Sequence, residues 1–328
     1  MEQIVNNEET TPFASATDTS PIHIQTKVDD AVTEIGKVVL GKEKQIRLSL
    51  CCLFAGGHLL MEDKPGMGRT TLSQALAKVF GLQYSRIQFT SDLLPADILG
   101  VTIYDQSTGK FSFHQGPIFS NLILADEINR TTPKTQSALL EAMEEGQISI
   151  DNNTHELPKP FFVIATQNPI SFAGTYPLPE SQLDRFLMRL QIGYPDPQAE
   201  RILLNSTDQR KNLNDMLQTL RPEDITHISE RIGEVHATET LLDYVQRIVA
   251  YTRQDNLFSF GLSPRGAMAL MRGARTWALM HDRMHVIPED VQMVLPAVVD
   301  HRLRSLTDTS GRSGESYSQR LLNEVDIF

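Results

Sequence analysis

The chain has 328 residues, of which 40 % are hydrophobic and 22 % charged. That balance excludes disordered, collagenous and membrane-spanning compositions, and the length points to about two domains at roughly 150 residues each. The 30 Lys and Arg against 41 Asp and Glu leave a net charge of −11. This excludes a whole-surface attraction to nucleic acid or anionic lipid and leaves only a local basic groove open.

Cys51 and Cys52 are adjacent, so they neither staple distant segments nor have metal-finger spacing. They read as buried thiols of a reducing compartment. Residues 1–24 carry little hydrophobic periodicity and no basic-then-apolar leader, which predicts a flexible arm and a cytoplasmic protein. Val28, Val32, Ile35 and Val39 then fall at helical spacing, in a helix broken at Gly41. An apolar helix over 43–55 runs into Gly56-Gly57. The run 48–61, interrupted by Gly56, Gly57 and His58, is too short to cross a bilayer, so no membrane span is expected.

From there strands and helices alternate: strand 58–62, a glycine loop, helix 70–80, strand 84–89, strand 121–126, helix 133–145 and strand 161–166. That order predicts an α/β domain over 25–195 with a mainly parallel sheet covered on both faces. Two hairpins interrupt it, 101–104 with 110–113 and 147–150 with 155–157, and neither is expected to contribute to the core. After Tyr194-Pro-Asp-Pro197 the strand signal stops. Helices near 198–206, 222–235, 239–253, 264–280 and 288–295 predict a small all-helical domain over 196–306, followed over 307–328 by a Ser/Thr/Gly linker and a short last helix.

The chemistry-bearing residues sit at the ends of these elements. Asp63-Lys64-Pro65-Gly66-Met67-Gly68-Arg69-Thr70-Thr71 lies between a strand and a helix, where backbone N–H groups and a helix N-terminus can surround a phosphate chain. Against the pattern G-x-x-x-x-G-K-[ST] it departs twice, at Asp63 and at Arg69. Taken alone it is equally a tight structural turn. The apolar strand ending in Asp126-Glu127 shifts the balance: Asp126 and the Thr70 hydroxyl can share a Mg²⁺ with a nucleotide, and Glu127 can polarise an attacking water. At the next strand end Asn168 can reach the terminal phosphate or that water. Arg185 follows near the sheet edge as a group that stabilises charge on a transferred phosphoryl, acting on a neighbouring subunit. In Ser263-Pro264-Arg265 an N-cap and an N1 proline project Arg265 from a rigid first turn, so that domain closure would place it on the nucleotide. Each of these residues also has a plain structural reading, as an acidic strand end, a turn starter or a surface ion pair.

Together they resemble the MoxR-type AAA+ ATPases. The resemblance rests on Gly57-His58-Leu-Leu-Met-Glu-Asp63, Pro65-Gly-Met-Gly68, Ile87-Gln-Phe-Thr-Ser-Asp92-Leu-Leu-Pro95, Gly116-Pro-Ile-Phe119, Ala125-Asp-Glu-Ile-Asn-Arg130, Gln136-Ser-Ala-Leu-Leu-Glu-Ala-Met-Glu-Glu-Gly146, Ala165-Thr-Gln-Asn-Pro169 and Leu183-Asp-Arg-Phe186. It implies a P-loop AAA+ domain with a helix-2 insert, a hairpin before sensor 1 and a helical lid. It also implies ATP and Mg²⁺ as ligands, Asp126 and Glu127 as Walker B residues, Asn168 as sensor 1, Arg185 as a finger acting in trans and Arg265 as sensor 2. Val39-Leu40-Gly41 would lie against the adenine. Such proteins form rings, usually hexamers, and remodel or activate partner proteins, among them proteins with von Willebrand factor A domains.

Two alternatives stay open at this stage. Arg69 is larger and more planar than the lysine of the pattern, which suits an ATP-gated assembly module with little turnover. A nucleic-acid translocase is the other, and the hairpin tips speak against it: Asp105, Gln106, Asp151 and Asn152 give a phosphate-tracking surface little charge to work with.

Overall fold

Residues 59–61, 122–125 and 162–165 are apolar at every position, a pattern that suits strands covered on both sides. In the computed structural model of the protein these are the three interior strands of a five-stranded sheet. The structure describes residues 23–107, 109–168, 174–205, 209–254, 258–304 and 316–327. The predicted arm before residue 23, Thr108, Pro169 and most of the 307–316 linker lie outside them.

The chain enters through α1 (Ile24–Gly36) and α2 (Glu43–Phe54), then β1 (Leu59–Glu62), α3 (Arg69–Phe80) and β2 (Tyr84–Gln88). A short α4 (Pro95–Leu99) leads into the hairpin of β3 (Gly100–Asp105) and β4 (Lys110–Gln115). There follow β5 (Leu122–Asp126), α5 (Pro133–Glu145), the hairpin of β6 (Gln147–Ile150) and β7 (Asn153–Glu156), β8 (Phe162–Gln167), a one-turn α6 (Glu180–Leu183) and β9 (Met188–Leu190). The sheet order is β2-β5-β8-β1-β9 and every pairing in it is parallel.

Because side chains alternate across a strand, the interior strands split their apolar residues between two cores. Leu59, Met61, Leu122, Leu124, Phe162 and Ile164 pack with α1, α2 and α3, whereas Leu60, Ile123, Ala125, Val163 and Ala165 pack with α4 and α5 through Ile98, Leu139 and Leu140. Each such fully buried side chain contributes about 1.5–3 kcal/mol. The second half is helical: α7 (Pro197–Asn205), α8 (Gln209–Asn214), α9 (Pro222–Arg231), α10 (Glu239–Gln254), α11 (Pro264–Leu279), α12 (Pro288–Val299) and α13 (Tyr317–Glu324). Its buried Tyr244, Leu270, Val294 and Leu295 belong to the same apolar cluster as the first face of the sheet, so lid and sheet are packed together.

The structure differs from the sequence reading in several details. The first helix stops at Gly36, where the Lys37 N–H turns back onto Glu34 and Ile35; Val39 is buried from the turn that follows. Strand β9 was not anticipated, since three residues give no alternation to read. The second hairpin does reach the core, with Ile148 and Leu157 buried beneath it. The two hairpins also touch, His155 stacking on Phe113 with ring centroids 4.3 Å apart. Cys51 and Cys52 are free and fully buried, as their composition suggested. No helix among the described residues is long and apolar enough to cross a membrane.

Candidate functional site

Where β1 runs out, Glu62 gives way to Asp63, and the reason an aspartate replaces the first glycine of the pattern is visible here. Its buried carboxylate accepts the backbone N–H of Ile192 at 2.6 Å and of Gly193 at 3.1 Å, fastening the start of the loop to the segment leaving β9. The loop turns at Gly66 and Gly68, with φ of 87° and 88°. A Cβ at either position would meet nothing within 4 Å, so glycine is required by backbone conformation and not by crowding. Gly68 is the N-cap of α3, which begins with Arg69, Thr70 and Thr71. The free N–H groups of that first turn face the loop with a positive dipole end.

Arg69 is 8 % exposed, and its Nη1 is buried with no hydrogen-bond partner among the described residues. A buried guanidinium nitrogen without an acceptor is costly, and an anion in the loop would satisfy it. The loop therefore fits a phosphate chain. For Mg²⁺ the available oxygens are the Thr70 hydroxyl and Asp126, a sparse set that suits an ion held largely by phosphates and water. No group of three or more His, Cys, Asp or Glu able to hold a metal occurs among the described residues.

Strand β5 delivers Asp126, and both its carboxylate oxygens are engaged: Thr166 Oγ1 donates to Oδ1 at 2.6 Å and Arg86 Nη2 to Oδ2 at 2.6 Å. Thr166 and Arg86 come from β8 and β2, the strands on either side, so the sheet itself aims this carboxylate. Glu127 is the next residue and adopts a left-handed backbone, φ 59° and ψ 50°. Its N–H donates to Thr166 Oγ1 at 2.8 Å, and its Oε2 accepts from Arg130 at 2.8 Å and Gln88 at 3.3 Å. Asn168 follows the end of β8, which lies between β5 and β1; the Asn129 side chain donates to its carbonyl at 3.5 Å. The structure thus brings the phosphate loop, Asp126, Glu127 and Asn168 to one edge of the sheet, where its strands end. Arg86, Gln88 and Thr166 were not picked out from sequence, although Gln88 and Thr166 stand inside two of the motifs above.

Of Val39, Leu40 and Gly41, the last neighbours Asp196, in the segment after β9 that Asp63 fastens through Ile192 and Gly193. Gly41 has φ 66°, and a Cβ there would stand 2.5 Å from Asp196 Oδ2. Lys42 Nζ donates to the Tyr194 carbonyl at 2.6 Å, while Lys64 Nζ sits 5.7 Å from the Tyr194 ring centroid. A cavity of about 580 Å³ between α1 and α2 reaches Val39 and Gly41 but is lined by no residue of the phosphate loop.

The two remaining arginines are elsewhere, and together. Arg185 Nη2 lies 3.1 Å from Glu144 Oε2, and Arg265 Nη2 pairs with Oε1 of the same carboxylate. The Arg265 hydrogen bond, reinforced by the charge of Arg185, holds the Glu144 carboxyl below its ordinary range. Among the described residues neither arginine pairs with a phosphate-loop residue, Asp126 or Glu127. Arg265 therefore stands beside Arg185 in this conformation, both held by Glu144. Behind them, Asp184 accepts from the buried Arg302 at 2.7 Å and from Ser263 at 3.2 Å, tying the lid to the residue before Arg185.

A glycine loop between β1 and α3, an Asp-Glu pair ending a nearby parallel strand and an attached helical lid define a P-loop ATPase fold of the AAA class. Residues 58–188 match the ATPase family associated with various cellular activities (AAA), and residues 250–321 match the AAA lid domain. The chain is 47 % identical to YeaC of Bacillus subtilis (strain 168), covering 90 % of this chain and 93 % of that one. It is 40 % identical to the chaperone MoxR1 of Mycobacterium tuberculosis, over 84 % of this chain and 75 % of the relative, and 32 % identical to MoxR of Methylorubrum extorquens, over 82 % and 85 %. A crystal structure of a Cytophaga hutchinsonii protein assigned as an ATPase superposes with a TM-score of 0.84 at 36 % identity, covering 93 % of this chain and 96 % of the other. The chain belongs to the MoxR family of AAA+ ATPases.

Proposed function

We propose that the protein binds Mg-ATP at the boundaries between protomers of a cytoplasmic homo-oligomeric ring, a hexamer, and uses hydrolysis to remodel or activate partner proteins, including one with a von Willebrand factor A domain. The observation that carries this reading is the pairing of a left-handed glycine loop and an acceptor-free buried Arg69 nitrogen with Asp126 and Glu127 at the same sheet edge. Gly66 to Thr71 supply backbone N–H groups and the Arg69 charge to the phosphates, and Pro65 fixes the bend before them. Thr70 and Asp126 hold Mg²⁺, which when bound neutralises the charge of the phosphate oxygens. Glu127 takes the proton of the attacking water, and Asn168 orients that water. Val39 to Gly41 border the base. Arg185 and Arg265 are held side by side on Glu144 with part of each side chain exposed, which supports their acting on a neighbour's nucleotide across a heterologous, ring-closing interface.

Calorimetric titration with Mg-ATP, and phosphate release by the wild type and by Glu127→Gln, test the proposal. Binding is retained and turnover falls by about two to three orders of magnitude in the variant. Equal turnover in both, or absence of binding heat, refutes it. Arg69 favours a second reading, a nucleotide-gated assembly module with slow hydrolysis, because a fork-shaped guanidinium replaces a compact ammonium at the phosphates. A rise in turnover of about tenfold or more in Arg69→Lys, at unchanged nucleotide affinity, selects that reading.

A further inference from the structure

We infer that Glu144 is a positioning residue that clamps Arg185 of the sheet domain and Arg265 of the lid into a single unit presented to the neighbouring protomer's nucleotide. The inference rests on the proposed hydrolysis at protomer boundaries and gives a role to a residue that the sequence reading left without one.

Two guanidinium groups from different domains repel one another unless an anion lies between them. Among the described residues Glu144 is the one acid paired with either arginine, and it uses a different oxygen for each: Oε2 for Arg185 at 3.1 Å and Oε1 for Arg265. The same helix holds Arg185 a second time, because its Nη1 donates to the Leu140 carbonyl at 2.6 Å, one turn before Glu144. The plane of Arg185 is therefore set by the last two turns of α5. Arg265 lies in the first turn of α11, whose N-cap Ser263 bonds Asp184, the residue before Arg185. Base and lid are thus joined twice beside the arginines, once through Asp184 and once through Glu144.

The arrangement is not buried. The side chains of Arg185, Arg265 and Glu144 are 29 %, 47 % and 33 % exposed. Ion pairs this open contribute little to stability, so what Glu144 supplies is placement. Both guanidinium groups keep exposed surface with which to meet an anion from outside the chain.

Since Glu127 would serve its own protomer's nucleotide and Glu144 a neighbour's, the two defects belong to different partners at each boundary. Glu144→Ala alone lowers kcat by about tenfold or more, while the KM for ATP stays within about twofold. Glu127→Gln alone is inactive. Rings assembled from equal amounts of the two variants recover about a quarter of wild-type turnover, because random mixing places an intact Glu127 opposite an intact Glu144 at that fraction of boundaries. Glu144→Gln, which keeps the shape and one acceptor, serves in the same assay if the alanine variant does not fold. A parallel mixture of Glu127→Gln with Arg185→Ala tests the boundary itself. If that mixture recovers activity and the Glu144 mixture shows only the sum of its parents, the role of Glu144 is overturned alone. If neither recovers, the boundary reading falls and the inference with it.

Discussion

Replacing Asp63 by glycine restores the residue that the phosphate-loop pattern has at that position, and the structure says the restored version is worse. Asp63 is not among the residues with positive φ, so glycine brings no conformational relief. What is lost is a buried carboxylate with two backbone donors, Ile192 at 2.6 Å and Gly193 at 3.1 Å. Hydrogen bonds to a charged group contribute about 1.5–3 kcal/mol each, and two N–H groups are left without an acceptor, so Asp63→Gly costs about 3–5 kcal/mol. Asp63→Asn keeps one acceptor oxygen and costs about half as much. Urea unfolding followed by far-ultraviolet circular dichroism measures the stability. Titration with Mg-ATP measures the consequence for the site, since the anchored segment continues into Tyr194 and Asp196 beside Gly41. A glycine variant within about 1 kcal/mol of wild type, or one that binds nucleotide more tightly, refutes the reasoning.

His58 is buried between Met143 O and the Val163 N–H, and burial pushes its pKa down to about 4. Unfolded it titrates near 6.5, so between those values the unfolded chain binds the extra proton and stability falls as pH falls, by about 3 kcal/mol in all; His58→Gln flattens the slope of stability against pH in that window. Arg302, only 4 % exposed, is held by Asp184 and by the carbonyls of Phe186 and Leu187. Arg302→Ala strands Asp184 and costs about 3–5 kcal/mol in a thermal or urea melt. Ser263→Ala removes the cap of α11, whose acceptor takes the Gly266 N–H at 3.0 Å, and lowers stability by about 1 kcal/mol.

The three interior strands were legible because each is apolar on both faces and ends in glycine or a polar residue, a pattern that needs no knowledge of partners. The phosphate loop and the Asp126-Glu127 pair were legible together for the same reason, since each sits where a strand stops. What escaped depends on residues far apart in the chain. Asp63 read only as a departure from the pattern, because the backbone N–H groups of Ile192 and Gly193 that it accepts from carry no sequence mark. Glu144 is one of several acids along α5, and nothing local distinguishes it from Glu141 or Glu145. Only the folded chain brings Arg185 and Arg265 to it. The short elements α4, α6, α8 and β9 escaped for a simpler reason: none runs for two full periods of its hydrophobic pattern.

The Thr166 hydroxyl has one proton to give, and it gives it to Asp126. Toward Glu127 it can act only as an acceptor, so the Glu127 peptide must turn its N–H inward to meet it, and the left-handed backbone at φ 59° goes with that turn. Such a conformation costs about 1–2 kcal/mol for a residue with a side chain. A threonine one strand away therefore sets the direction in which the Glu127 carboxylate leaves the sheet, by the arithmetic of a single hydrogen atom.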